Sequence, residues 1–553
     1  MPKRLLIVGG VAAGATAAAR ARRLDENAEI TIVEKGPYVS FANCGLPYRL
    51  SGDIQKRSQL ILQTPEGFEA RYRVKVLLNT EALSIDRPGK KLRVRGPEGQ
   101  AELPYDSLIL AQGGTPFMPP IAGSDAAHVF RLWTIPDMDA IEAYIQKEKP
   151  ESALVVGGGF IGLEAAEAFL KRGLKVSVVE LTDHLMPPAD RDFGAMIGRA
   201  FEEAGAKVLV GRSVKSVDAA AKTALLDDGT SVPAGLVLVS AGVRPNTELA
   251  KAAGLEIGPS GGLALDEGLR TADPSIWGAG DMIEVSRIVD GKKVRVPLAG
   301  PANREGRVAA TNALGGTAKF RGALGSSVFK AVDYTFAMTG LSEKAARDSG
   351  FDAGAVVIHK GNHVSYMPGY EELSLKLVYD RKDGRILGAE AFGKADVEKR
   401  IDVVAASILG GLTVHDLADL DLAYAPPYNS ANDALNMAAF AAENELSGYS
   451  PALSAAEAAR LAASGEALIL DVRTYGEHGR GHAEGSVHIP LDELRDRLGE
   501  LSGERPILIV SRAGFEGHVA LRQLVQHGFK NLRYISGGMT SLRLEPGYRE
   551  AAE

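Results

Sequence analysis

The chain has 553 residues, is 45% hydrophobic and carries a formal charge of −7 with a sequence pI near 5.9. At about 150 residues per domain this length implies three or four domains, and the acidic balance, with no basic run of five or more residues, gives no support for a nucleic-acid partner. One cysteine among 553 residues excludes a disulfide scaffold and suits a reducing cytoplasm. The start, Met1-Pro2-Lys3-Arg4-Leu5, leads into a strand-like run and not a signal peptide, and no 18-residue apolar stretch exists, so no membrane span is expected.

In chain order, Leu5 to Val8 reads as a buried strand, Gly9-Gly10-Val11-Ala12-Ala13-Gly14 as a tight turn into an alanine-rich helix, and Ile30 to Glu34 as the next strand. A helix entered this way presents free N–H groups and a positive dipole end to a pyrophosphate. Glu34, 25 residues after Gly9, stands where an acid binds a ribose 2′-OH. Cys44 follows in Ser40-Phe41-Ala42-Asn43-Cys44-Gly45-Leu46-Pro47-Tyr48, a turn expected to start a helix and so to lower the thiol pKa. With no second thiol, its sulfur partner must come from outside the chain. Leu108 to Leu110 reads as another buried strand.

The pattern then repeats. Leu154 to Val156, Gly157-x-Gly159-x-x-Gly162, a helix and Val176 to Glu180 form a second unit, with Glu180 placed 23 residues after Gly157 to favour NADH over NADPH. Leu236 to Val239 extends it. Two dinucleotide sites in one chain imply a flavin and a nicotinamide exchanging hydride. Beyond 320 the texture changes: alternation in Leu373 to Tyr379 and Ile386 to Phe392 predicts an antiparallel sheet, and Ile401 to Leu409 a helix. Ser447-Gly448-Tyr449-Ser450-Pro451 reads as a linker. Strands at Ala467 to Val472, Ile507 to Val510 and Leu532 to Ile535 mark a further small α/β domain.

Several motifs resemble the pyridine nucleotide–disulfide oxidoreductases. Thr271 to Asp281 resembles their second flavin motif, whose terminal acid is Asp281 here, and Leu110 to Pro116 resembles their turn between flavin and nicotinamide parts, with Gln112 departing from the usual threonine. Ser40 to Tyr48, Pro297 to Arg307 and Tyr424-Ala425-Pro426-Pro427-Tyr428 resemble the single-cysteine branch, the coenzyme A-disulfide reductases and NADH-dependent persulfide reductases, over about residues 1–446. The resemblance implies an α/β fold of interleaved Rossmann-like FAD and NAD domains (FAD 1–115 and 246–320, a connection 116–150, NAD 151–245) and an α+β dimerisation domain (321–446). The linker 447–454 and a small domain at 455–553 follow.

It further implies FAD on Gly9, Gly10, Gly14, Glu34, Lys35, Gly113, Asp281 and Ala299, and NADH on Gly157, Gly159, Gly162, Glu180 and Gly242. Coenzyme A falls to Arg20, Arg23, Ser40, Asn43, Arg71, Asn303 and Arg307. Catalysis would rest on Cys44, cycling as a mixed disulfide with coenzyme A, with Tyr424 and Tyr366 supplied by the partner of a homodimer and Tyr428 as an alternate. On pattern alone Arg20 and Arg23 read as a solvated helix face. The function implied is NADH-dependent reduction of coenzyme A disulfide, coenzyme A persulfide or polysulfide in the cytoplasm. The alternatives are an NADH oxidase or peroxidase working through a Cys44 sulfenic acid, and a non-catalytic flavin scaffold that binds coenzyme A.

The last hundred residues resemble a rhodanese domain, through Leu470-Asp471-Val472-Arg473, Glu477 and Gly481 to Pro490. A functional rhodanese holds a cysteine at the head of its cradle loop and an arginine within it. Here Ser511 and Glu516 stand in those places, so sulfur transfer by this domain is expected to be absent. His478, His482 and His488 fall within the same frame and predict no metal site.

Overall fold

The Leu5–Val8 run and its duplicate at Leu154–Val156 become the central strands of two five-stranded parallel sheets. A computed structural model describes residues 2–502, 505–546 and 548–551, in two units: Met1–Asp183 with Phe201–Gly325, and His184–Ala200 with Ser326–Glu553. In the first unit one sheet runs in the order Ile276–Gly278, Ser107–Leu110, Arg4–Val8, Glu29–Val33, Val74–Leu77. The other runs Lys207–Val210, Lys175–Glu180, Ser152–Val156, Leu236–Val239, Val129–Phe130. Every pairing is parallel, and the central strands are almost wholly buried, as parallel strands with helices on their faces must be. Each fully buried Leu, Ile or Val contributes roughly 1.5–3 kcal/mol. The duplication extends to an antiparallel three-stranded flap before the fourth strand of each unit, Glu81–Pro104 and Val214–Pro233.

The second unit holds an antiparallel sheet ordered Ser327–Ala331, Tyr334–Gly340, Ile386–Gly393, Glu372–Asp380, Ala353–Gly361. The expected helix spans Val397–Gly410 and packs with Ala434–Leu446 over the apolar face. A further sheet, Ala452–Leu453, Leu532–Ile535, Ile507–Val510, Leu468–Asp471, Val487–His488, is parallel throughout. The alternation in Leu373–Tyr379 does lie in an antiparallel sheet, in which Leu373 through Asp380 are all buried. The polar face is covered by residues 184–200: Lys376 Nζ lies 2.7 Å from Asp192, 3.2 Å from Asp190 and 3.9 Å from Glu343. Asp190 N–H donates to Glu390 Oε1 at 2.9 Å. Asp190, Asp192 and Glu390 are close enough together to suit a metal ion, but the Lys376 ammonium takes the cationic position among them. The 447–451 segment is no free tether. Ser450 is fully buried and bonds His518 at 2.9 Å, and the Arg522 guanidinium lies 3.6 Å over the Tyr449 ring. Among the described residues no helix is long and apolar enough to cross a membrane.

Candidate active site

The Cys44 loop is tied to the first glycine turn. Ser40 N–H donates to Gly10 O at 2.8 Å, and Ser40 O accepts from the amides of Leu62 and Gln63 at 2.9 and 3.3 Å. These bonds hold Ser40 at φ +47°, a left-handed conformation that non-glycine residues seldom adopt. Gly45 lies so close to Leu60 that a Cβ there would stand 2.6 Å from its Cδ2. Asn43 Oδ1 accepts the Cys44 N–H at 3.0 Å and lies 3.7 Å from Sγ, which orients the thiol.

The thiol pKa goes against expectation. Cys44 sits in a single turn, Asn43–Gly45, ahead of a helix of only six residues, Leu46–Ser51, whose dipole is small. Cys44 reaches the surface, but the protein mass around it desolvates the sulfur and pushes the thiol up. Glu164 and Asp281 push the same way, and only a backbone hydrogen bond opposes them.

Both glycine turns share one geometry. Gly9 and Gly157 have φ +99° and +110°, and a Cβ on Gly14 or Gly162 would fall 1.8 or 2.0 Å from the carbonyl oxygen of Gly9 or Gly157. Gly10 N–H donates to Glu34 Oε2 at 2.8 Å, and Gly158 N–H to Glu180 Oε2 at 2.7 Å. Val11 is compatible with the first turn because the middle position has φ −97°, open to any L-residue, as at Gly159 with φ −86°. The following helices, Ala12–Leu24 and Phe160–Lys171, have no side-chain cap and no acid in the first turn. The same holds for Ala299–Ala313, which begins at Ala299.

Those elements converge. A Cβ on Gly306 would lie 2.2 Å from Ala13 O, and one on Gly280 would lie 3.3 Å from Ala13 Cβ. Asp281 therefore adjoins the first turn, its carboxyl raised by burial against the lowering effect of Arg295. Glu305 accepts from Gly280 N–H at 2.8 Å and is pushed up to about 7, chiefly by burial. Gly113 at φ +62° leaves open space beside Gln112, whose Oε1 is buried without a hydrogen-bond partner. Uncapped helix ends, an acid at the strand tip and an orphaned amide oxygen suit a phosphate-bearing flavin dinucleotide. Gly159 and Gly242 likewise have nothing within 4 Å of a notional Cβ, which leaves room for the backbone of the second cradle to meet its nucleotide. Lys35 instead points outward, ion-paired to Glu81 at 2.8 Å.

The arginines separate by role. Arg22 is buried, donating to five backbone carbonyls including those of Ala28 and Tyr72. Arg20, by contrast, is pushed below its ordinary value by burial and then by Arg307 and Arg23, so three like charges meet on one face. Asn303 accepts from Thr16 Oγ1 at 2.7 Å between the same two helices. Arg71 is exposed at the end of Pro65–Tyr72. Tyr366 and Tyr424 lie in the second unit, 71% and 46% exposed, and hydrogen-bond to each other, which raises the Tyr366 phenol. Tyr428 is 69% exposed. Glu164, which no motif singles out, receives a 3.1 Å hydrogen bond from Tyr48 and is pushed up to about 7 by burial.

In the last domain Ser511 is buried and accepts Gly514 N–H at 3.0 Å, while Glu516 stands in the first turn of Phe515–Gln526 with Oε2 unpartnered. His478 stacks on His482 and His488 at 3.9 and 4.0 Å, ring on ring, an arrangement in which the ring nitrogens do not converge.

Residues 3–306 match the pyridine nucleotide-disulphide oxidoreductase family, 326–435 its dimerisation domain and 454–545 the rhodanese-like domain. The chain belongs to the pyridine nucleotide-disulphide oxidoreductases. This member is 33% identical to an NADH oxidase of Methanocaldococcus jannaschii (80% of this chain, 99% of that one). It is 34% identical to a CoA-dependent NAD(P)H sulfur oxidoreductase of Pyrococcus abyssi (78% and 96%) and 32% to a coenzyme A disulfide reductase of Staphylococcus aureus (80% and 100%). Reduced Bacillus anthracis CoADR-RHD superposes with a TM-score of 0.95 at 37% identity over 98% of each chain. The NAD-dependent persulfide reductase of A. fulgidus gives 0.92 at 36%, covering 97% and 99%. FAD and a pyridine nucleotide are the cofactors of this oxidoreductase, and its rhodanese-like domain is part of the same architecture. Wild-type protein is expected to show no transfer of sulfane sulfur to cyanide. A Ser511→Cys/Glu516→Arg variant, with a thiolate and a cation in the cradle, is expected to form thiocyanate at a rate at least about tenfold above the assay background that wild type gives, since both changes favour a bound anion.

Proposed function

We propose that this oxidoreductase uses NADH to reduce coenzyme A disulfide, coenzyme A persulfide or polysulfide through a Cys44–coenzyme A mixed disulfide. The observation that carries the reading is the closeness of Arg23 and Arg307 to Arg20 on the helices Ala12–Leu24 and Ala299–Ala313, whose first turns border the flavin cradle. A guanidinium crowded by two others suits a ligand with several phosphates, which peroxide or oxygen lacks. Bound flavin supplies a two-electron relay between nicotinamide and sulfur. The chain's own work is to hold Cys44 through Asn43 and Ser40, to seat the ribose through Glu34, and to disfavour a 2′-phosphate through the buried carboxylate of Glu180. NADH is preferred for that reason.

The exposed Tyr366, Tyr424 and Tyr428 are aromatic surface of the kind that interfaces cover. In a homodimer we place the Tyr366–Tyr424 pair of one protomer beside Cys44 of the other, where a phenol can protonate a departing thiolate. A reducing cytoplasm would keep the lone thiol free. The rhodanese-like domain acts without a thiol of its own, so the substrate reaches Cys44 directly.

Anaerobic NADH bleaching of the flavin, followed by recovery on adding coenzyme A disulfide or persulfide, tests the reading; recovery with oxygen or peroxide alone would favour an oxidase, the activity named for the M. jannaschii relative. An Arg20→Ala variant is expected to raise KM for coenzyme A disulfide about tenfold to a hundredfold, since one charge-assisted bond is worth about 1.5–3 kcal/mol. Its KM for inorganic polysulfide should stay near that of the parent.

A further inference from the structure

Reduction of a disulfide by a dihydronicotinamide takes up one proton from solution. Hydride brings two electrons and one proton, the S–S bond breaks, and two thiols form only when a second proton arrives at sulfur. Resting on the reading above, we propose that Tyr48, Glu164 and Glu167 form a proton path from the surface to the sulfur chemistry at Cys44, with Glu164 as its proton-holding member.

The path spans two packed helices. Tyr48 lies four residues beyond Cys44 on Leu46–Ser51, and its hydroxyl donates to Glu164 Oε1 at 3.1 Å. Glu164 sits on Phe160–Lys171, near enough to Cys44 for its charge to act on the thiol. Tyr48, Ser51, Asp53, Glu164 and Glu167 all line one cavity of about 10 Å³, at the lower limit of what holds one water. Glu167 is nearly fully buried, whereas Asp53 is half exposed. Lys171 Nζ joins them, 3.2 Å from Glu167 and 2.7 Å from Asp53, so titratable groups continue to the surface.

The charge states suit the task. Burial, with Glu167 adding to it, brings Glu164 up to about 7 against the lowering effect of the Tyr48 bond, so near neutrality it both holds and releases a proton. Tyr48 is pushed up by burial and then by Glu164; it keeps its proton and can pass one on only by accepting another. Among the described residues, Tyr48 from one helix and Glu167 from its own act on Glu164, with Lys171 beyond, and none of these three is a cation in direct contact that would lock it as a carboxylate. A surface-bound carboxylate would hold no proton at this pH.

The test is Glu164→Gln in the flavin-loaded dimer, which keeps the acceptor for Tyr48 and removes the proton. In wild type, turnover with coenzyme A disulfide should fall as pH rises through about 7. In the variant kcat should drop at least about tenfold and lose that pH dependence between pH 6 and 8, while NADH bleaching of the flavin stays within about twofold. Tyr48→Phe, which leaves Glu164 in place, should lower kcat but keep the limb near 7. An unchanged rate and profile in Glu164→Gln would remove the path, as would a loss confined to NADH bleaching, which would place Glu164 in nicotinamide binding. Absence of sulfur-dependent turnover in wild type would instead remove the reading of the active site, and the path with it.

Discussion

Replacing one sulfur by oxygen at Cys44 is expected to abolish reduction of sulfur acceptors while NADH still bleaches the flavin. Cys44 is the only cysteine in the chain, so a Cys44→Ser variant has no thiol that can form a mixed disulfide, and a serine hydroxyl neither attacks a disulfide nor leaves as a stable anion at neutral pH. The loss should reach at least about a thousandfold, or about 4 kcal/mol of barrier. The loop should survive, because Ser40 anchors it through backbone bonds and the Asn43 contact to the Cys44 N–H does not involve the side chain. Neither glycine cradle includes the sulfur. Stopped-flow spectra separate the outcomes: flavin reduction at the parent rate with no reoxidation by coenzyme A disulfide fits the proposal, and retained reoxidation contradicts it. Intact mass adds an independent reading, an adduct of coenzyme A size on wild type that reductant removes and that Cys44→Ser lacks.

What the sequence revealed and concealed divides along physical lines. Parallel strands buried on both faces are continuous apolar runs, and the turns between them need glycine where a Cβ would strike a carbonyl; hence both cradles were legible, including the tolerated Val11. Lys376 and Glu390 were not. They occupy polar positions of alternating strands, and the segment that buries them, 184–200, lies nearly two hundred residues earlier. Glu164 and Glu167 belong to no motif and drew no reading, although Leu163, Ala165, Ala166 and Phe169 around them are apolar and buried; an acid amid such a run was the available signal. The Cys44 thiol was misjudged because the turn was credited with a helix dipole, whereas six residues of helix are outweighed by desolvation and two carboxyl groups.

The buried cluster yields the largest expected change in stability. Lys376→Met should destabilise the second unit by about 3–5 kcal/mol near neutral pH, the usual consequence of stranding buried carboxylates. Burial alone would raise Asp190, yet Lys376 and the amides of Lys344 and Glu343 hold it below its ordinary value. A carboxyl depressed by folding stabilises above its unfolded pKa, near 3.9, and that contribution fades as pH falls through the lower folded value. Without Lys376 burial prevails and Asp190 rises. A raised carboxyl contributes at low pH and loses that contribution as pH climbs, as Glu390 and Glu343 already do, both raised first by burial. Parent and variant should therefore converge toward pH 4 and diverge toward pH 7. Both tryptophans, Trp133 and Trp277, lie in the first unit, so their fluorescence is a poor reporter. Amide hydrogen exchange of Glu372–Asp380 and Ile386–Gly393 reads the second unit directly. Neutralising the stranded acids in Lys376→Met/Asp190→Asn/Asp192→Asn should recover more than half of the lost protection; equal protection in parent and Lys376→Met across that pH range would show that the ammonium does not hold the cluster together.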